Sequence, residues 1–289
     1  MKTIRASDFS LKYTVESAQP LTFIGEIGAE GQSVGYAYSN GYVKVRQAGR
    51  NLHCEHLGRI GGIRLVSEIE RRFGLRDEMQ KVYGAIRDDA FLVESMKRYP
   101  GMRITQNDPW ETTVCFVVSQ FNNVKRIRLI MQSLIQKYGE VHEFYRDDKK
   151  IAIRSFPTPT ALMGPEIKEL MGCGTGFRAK YIKGVAQACA QSFDLARLYS
   201  MGYDQAKEEL ISLPGIGDKV ADCILLMGYK KGEAFPVDTW IKRAMERLYF
   251  GGKKQSIRKI HEFAEGKWGK YAGYAQQYIF WHSRSIKLS

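Results

Sequence analysis

Apolar and polar positions alternate along the first part of the chain. Phe9, Leu11, Tyr13 and Val15 fall on every second residue, the period of a half-buried strand. Val34, Tyr36 and Tyr38 repeat the pattern, Asn40-Gly41 supplies a hairpin signal, and "YVKVR" resumes the alternation. A small antiparallel sheet is predicted over residues 1 to about 55. From about residue 63 the period becomes helical, with helices expected in 63–75 and 88–101. Asp108 reads as a cap with Pro109 at the first helical position. Trp110, Val114, Val117, Val118 and Phe121 share one face of that helix, and Ile127, Ile130, Met131, Leu134, Ile135 and Tyr138 form a stripe on the next. Gly139 ends that stripe, and these apolar positions read as core.

Further on, 155–164 is a proline-containing connector before a short helix at 165–171. A glycine-rich turn then leads into another helix, and Asp204 is placed to cap the one after it. Helices are expected at 219–229, after Asp238 until Gly251-Gly252, and over roughly 255–265 and 271–284. The fold class is α+β, mainly α. Residues 1–100 are expected to hold the sheet and flanking helices, and 101–289 a helical region with a helix–hairpin–helix at about 204–229.

Composition narrows the function. The chain has 289 residues, 44% hydrophobic and 26% charged, as in ordinary globular proteins. Its formal charge of +13 points to a polyanionic partner, most often nucleic acid. The five cysteines are odd in number and widely spaced, without a CxxC pair. That argues for a reduced intracellular protein, cytoplasmic if prokaryotic, with no zinc site or disulfide framework. No signal peptide or membrane-length apolar run is evident.

The candidate chemistry lies in "LPGIGDKVAD", residues 213–222. Gly215 and Gly217 permit a tight turn with exposed amides. Together with the N-terminus of the next helix they make an anion site, suited to a DNA phosphate. Asp218 reads as the helix cap. Lys219 follows it where the helix dipole disfavours a cation. An amine is nucleophilic only when neutral, so a poor place for a structural cation suits covalent catalysis. Asp238, just before a later helix, reads both as a cap and as a carboxylate held ionised by that helix.

The stretch "LISLPGIGDKVADCILLMGYKKGEAFPVDTW" resembles the helix-hairpin-helix and Gly/Pro…Asp signature of base-excision DNA glycosylases, in the lysine form of the bifunctional members. "FSLKYTVESAQPLTF", "NDPWETTVCFVVSQFNNVKRI", "GFRAKYI" and "WGKYAGYAQQYIF" resemble, in order, segments of the 8-oxoguanine DNA glycosylase/AP lyase family. The resemblance spans nearly the whole chain. It implies Lys219 as the nucleophile and Schiff-base residue, and Asp238 as the group that stabilises charge on the sugar. It places Cys223 and Phe280 on opposite faces of a flipped base and Gln276 on its Watson–Crick edge. A backbone carbonyl that reads the N7 proton of 8-oxoguanine falls at Ala18, where family members usually carry glycine. Arg126 and Arg178 match residues that bind the orphaned cytosine, and Asn122 and Asn123 match the family's asparagine run. That run usually begins one residue earlier, where Phe121 stands either as a wedge or as a core residue. Phe177 would press on the opposite-strand stack.

The implied partner is double-stranded DNA containing oxidised guanine, bound by a monomer with no membrane involved. No metal or redox cofactor is implied, and the hairpin carbonyls leave room for a monovalent cation. Two other readings compete: another helix-hairpin-helix glycosylase, and a non-catalytic DNA-binding protein that keeps the hairpin for phosphate contact. Endonuclease III-like members often carry a four-cysteine cluster near the C-terminus, yet no cysteine follows Cys223. Alkyl-base members lack the catalytic lysine. Lys219 together with Asp238 weighs against a purely architectural role.

Overall fold

Ser10 decides the structure of the segment that alternates most regularly. Its hydroxyl accepts from the Tyr13 amide, and residues Leu11–Glu16 form a short helix, α1, not the strand expected from the alternation. Leu11 and Val15 alternate with polar neighbours but are also four residues apart, so one helical face buries both along with Thr14. The Leu11 amide is satisfied by Gln47 Oε1 at 2.6 Å. This computed structural model describes residues 1–19, 33–38, 41–58, 62–146 and 149–288.

The sheet itself is antiparallel, in the order β1 (Lys2–Arg5), β4 (Asn51–Leu57), β3 (Gly41–Ala48), β2 (Ser33–Tyr38). Tyr38 pairs with Gly41, as the hairpin signal required, although Asn40 lies outside the described residues. Val34, Tyr36, Val43, Val45, Leu52 and Cys54 are fully buried beneath α2 (Gly62–Arg72). With Leu65, Ile69 and Phe73 they close a first core.

A second, larger core begins at Met79 and runs to Ile279. It is built by α3 (Met79–Ile86), α4 (Ala90–Arg98), α5 (Pro109–Ser119), α6 (Val124–Tyr138), α7 (Pro159–Met163), α8 (Ile167–Met171), α9 (Ala179–Gln191), α10 (Tyr203–Ile211), α11 (Asp218–Tyr229), α12 (Thr239–Tyr249), α13 (Ile257–Trp268) and α14 (Ala272–Ser285). The buried hydrophobic side chains thus fall into two clusters that divide between Phe73 and Met79. A second hairpin, β5 (Val141–Arg146) with β6 (Lys149–Arg154), follows α6.

Helix α11 is the axis of the larger core, and every residue from Val220 to Tyr229 is buried. The buried Asp222 carboxylate accepts from Tyr203 Oη at 2.6 Å and from Lys207 Nζ at 2.9 Å, fastening α10 to α11. At the other end Lys230 donates to Asp77 Oδ2 and to the Ile104 carbonyl, each at 2.6 Å. The hairpin that carries Lys219 is therefore held from both ends of α11.

Candidate active site

The turn between α10 and α11 needs glycine at Gly215 for two separate reasons. Its φ is +78°, and an added Cβ would come within 2.4 Å of the Tyr181 ring. Gly217, with φ −103°, has open space around it and is the N-cap of α11. Asp218 is not the cap; it is the first helical residue, exposed, with its carboxylate 3.7 Å from Lys207. Asp204 likewise lies inside the first turn of α10, whose cap is Gly202. A glycine cap brings no side chain to the α11 amides, so they face outward unoccupied by any cap hydrogen bond.

Lys219 follows in the first turn, half-buried, with Nζ 5.5 Å from the Phe116 ring centroid. It lines a cavity of about 350 Å³, within the range of small-ligand clefts. Asp238, Cys223, Gln276, Phe280, Ala18, Asn122 and Asn123 line the same cavity. Residues spread from 18 to 280 in sequence thus meet at one place.

Asp238 caps α12, its Oδ1 accepting from the Ile241 amide at 2.8 Å. Its other carboxylate oxygen has no hydrogen bond among the described residues and is free to face charge in the cavity. Cys223, one turn after Lys219, is buried, and burial pushes its thiol up to about 11 against the opposing Lys219 charge. The thiol is therefore protonated at neutral pH, an apolar wall rather than a rival nucleophile.

Gln276 donates from Nε2 to the Pro236 carbonyl at 3.1 Å, while its buried Oε1 has no hydrogen-bond partner among the described residues. A buried unpaired acceptor carries a desolvation cost that a ligand N–H would relieve. Ala18 is held in left-handed backbone, φ +58°, by bonds on both sides. Gln19 receives the Thr105 amide at 2.6 Å and donates to Arg103 O at 2.6 Å, and Gln277 donates to Ser17 O at 2.8 Å. The Ala18 carbonyl has no hydrogen bond among the described residues.

Beside the cavity, the segment after α5 makes a second surface. Phe121 is 95% exposed with φ +48°, which excludes the core alternative and takes it off the buried α5 face. Its ring lies 6.4 Å from that of Phe177, itself 49% exposed. The Arg178 guanidinium stacks 4.5 Å over Phe177 and donates to the carbonyls of Gln120 and Phe121. Arg178 is thus buried and engaged with the loop, while Arg126 is exposed. Burial, followed by the neighbouring Arg126 charge, draws the Arg178 guanidinium below its ordinary value. Asn122 donates to the Val118 carbonyl at 3.0 Å, and Asn123 caps α6. Gln120 Nε2 donates to the Gly215 carbonyl at 3.0 Å, joining this loop to the hairpin.

Several residues at the site carry no obvious sequence signal. Gln19 and Gln277 act by holding their neighbours Ala18 and Gln276. Trp240 and Arg284 also line the cavity. Their spacing offered the only clue, two residues after Asp238 and four after Phe280.

Comparison with known proteins agrees with this geometry. Residues 114–270 match the family described as HhH-GPD superfamily base excision DNA repair protein. A probable N-glycosylase/DNA lyase of Methanothermobacter thermautotrophicus is 32% identical over 78% of this chain and 76% of its own. The N-glycosylase/DNA lyase of Saccharomyces cerevisiae is 30% identical over 62% of this chain, which spans only 56% of the yeast protein. The Clostridium acetobutylicum 8-oxoguanine glycosylase/lyase, solved with double-stranded DNA containing cytosine opposite 8-oxoguanine, superposes with a TM-score of 0.86 at 26% identity, covering 99% of each chain.

Proposed function

The chain belongs to the 8-oxoguanine glycosylase/lyase branch of the HhH-GPD superfamily, and we infer that it excises 8-oxoguanine from double-stranded DNA and then cleaves the resulting abasic site. The single observation that carries this reading is one cavity of about 350 Å³ lined by Lys219, Asp238, Cys223 and Phe280 together.

The target base must leave the stack before any group reaches its sugar. Helix α11 supports this by offering its free N-terminal amides at Gly217 to a backbone phosphate, a contact that positions DNA without reading sequence. Phe121 and Phe177 form an exposed aromatic pair, which suits them to fill the gap left in the duplex. Arg126 is free to donate to the orphaned cytosine. Arg178 donates to the carbonyls of the wedge loop and shares that cytosine only through its one remaining Nη1 donor.

In the cavity the base lies between Cys223 and Phe280. Gln276 Oε1 accepts from its Watson–Crick edge, and the Ala18 carbonyl accepts the N7 proton that guanine lacks. Lys219 Nζ attacks C1′ of the nucleotide. A carbon–nitrogen bond forms to the lysine as the glycosidic bond breaks, and its electron pair leaves with the base. Asp238 stabilises the positive charge that develops on the sugar. Loss of a proton from the amine and opening of the sugar ring give an imine between Lys219 and C1′. A proton then leaves C2′, and the 3′ phosphate departs by β-elimination. Water hydrolyses the imine and frees the lysine. These steps use the chain's own residues.

The test is a duplex carrying one 8-oxoguanine opposite cytosine, with a guanine duplex as control. Release of free 8-oxoguanine together with a nick at the lesion is expected, and neither from the control. Intact lesion strands after prolonged incubation would refute the reading.

A further inference from the structure

The cavity lining carries a guanidinium that forms no ion pair among the described residues. Arg284 lies on α14 one turn beyond Phe280, and its side chain lines the cavity with Lys219 and Asp238. Its guanidinium carbon is 5.2 Å from the Phe280 ring centroid and 5.7 Å from that of Trp240. Both fall within the reach of a cation–π contact. Among the described residues the guanidinium has neither an ion pair nor a hydrogen bond. The other charged side chains of the cavity lining are Lys219 and Asp238.

A guanidinium is planar, and its five N–H donors lie in that plane. Contact with aromatic faces leaves those in-plane donors unused, which suits a forked contact with phosphate oxygens. On the functional reading above, a base between Cys223 and Phe280 puts its sugar at Lys219. The phosphate flanking that sugar then comes to the cavity that Lys219 and Arg284 both line. We propose that Arg284 binds this phosphate, with Trp240 and Phe280 holding its guanidinium in place. The contact exists only once the nucleotide has been extruded, so it stabilises the flipped state and adds little to first encounter with DNA. It also couples the phosphate to the base, because the same Phe280 ring meets Arg284 and the flipped base.

Binding is measured as a function of salt in a Lys219→Gln background, which cannot form the imine. Three duplexes are compared: undamaged, 8-oxoguanine-containing, and one with a tetrahydrofuran abasic analogue that keeps its phosphates but has no base. Arg284→Ala should weaken binding of both lesion duplexes by about tenfold, as expected for loss of a charged hydrogen bond. The slope of log K against log salt should fall by about 0.9, the value for one phosphate contact. Binding to undamaged duplex should not change. Arg284→Lys should restore the slope while recovering only part of the affinity.

A loss confined to the 8-oxoguanine duplex, with the slope unchanged, would overturn the proposal and make Arg284 a base contact. A loss on every duplex with an unchanged slope would overturn it by showing that Arg284 only shapes the Phe280 wall. The abasic duplex gives its answer even if 8-oxoguanine is not the substrate, so failure of the functional reading is seen separately, as no preference of the parent protein for the 8-oxoguanine duplex.

Discussion

Asp238 combines two tasks that substitutions separate. As a helix cap it is matched by asparagine, whereas as a charge it is not. Asp238→Asn should leave folding stability within about 0.5 kcal/mol and lower single-turnover excision by on the order of a hundredfold, with lesion affinity nearly unchanged. Asp238→Ala should lose the rate and also about 1 kcal/mol of stability. Denaturant titration and single-turnover kinetics check both, and equal rates for Asp238→Asn and the parent would remove the charge from the mechanism.

Ala18 is the second residue whose local state matters. A non-glycine residue in left-handed backbone carries about 1 kcal/mol of strain. Ala18→Gly should relieve it, less the glycine's greater entropy on unfolding, for a net gain of at most some tenths of a kcal/mol. It also removes a methyl group beside the carbonyl proposed to read the lesion. The ratio of 8-oxoguanine to guanine excision should rise; a lower melting temperature with an unchanged ratio would contradict both points.

At this scale the sequence was most legible where chemistry is local. Lys219 and Asp238 were found by residue type and position, Cys223 and Gln276 through the family resemblance, and the structure gathers all four in one cavity. Ala18 and Phe121 stood out as departures from a familiar pattern. Both take positive φ, a property of backbone that residue names do not reveal. Asp218 misled because aspartate is a favoured cap, but Gly217 ahead of it takes the extended backbone that a cap requires.

At the scale of elements, the hairpin shows how far one turn depends on its glycines. Gly215→Ala meets both a φ of +78° and the Tyr181 ring, and should cost roughly 1–3 kcal/mol with a marked loss of DNA affinity. Gly217→Ala meets open space at an ordinary φ and should cost well under about 1 kcal/mol. Comparing their melting curves and duplex affinities checks this; similar losses for the two would mean that the turn is not set by Gly215.

Errors in element type have physical causes. α1 is only 6 residues long, and its alternation satisfies the i, i+4 spacing as well as period two. The decisive cap, Ser10, is a common residue type. The α3 and β5–β6 segments gave no strong signal, since β5–β6 is a two-stranded hairpin with exposed Tyr145 and Val141. Long stripes such as α6 were read correctly because 15 residues repeat their face about four times.

At the scale of the whole molecule, α11 and the formal charge of +13 work together. The charge favours encounter with DNA and is independent of sequence. α11, which carries Lys219, is itself held in place, because Asp222 and Lys230 tie it to Lys207 and Asp77. Neither anchor was visible from sequence, as each joins residues distant along the chain. Arg126 and Arg178 show the same effect. They match by motif alike, yet folding leaves one exposed and ties the other to Gln120 and Phe121.

The central claim is that the Lys219 amine becomes covalently joined to the sugar of the damaged nucleotide. Borohydride reduces an imine to a stable amine, so it traps that state. Incubation with an 8-oxoguanine:cytosine duplex and borohydride should yield a protein–DNA adduct whose modified peptide contains Lys219, and Lys219→Gln should yield none. An adduct of equal amount in Lys219→Gln, or base release by the parent protein without any trapped adduct, would contradict it.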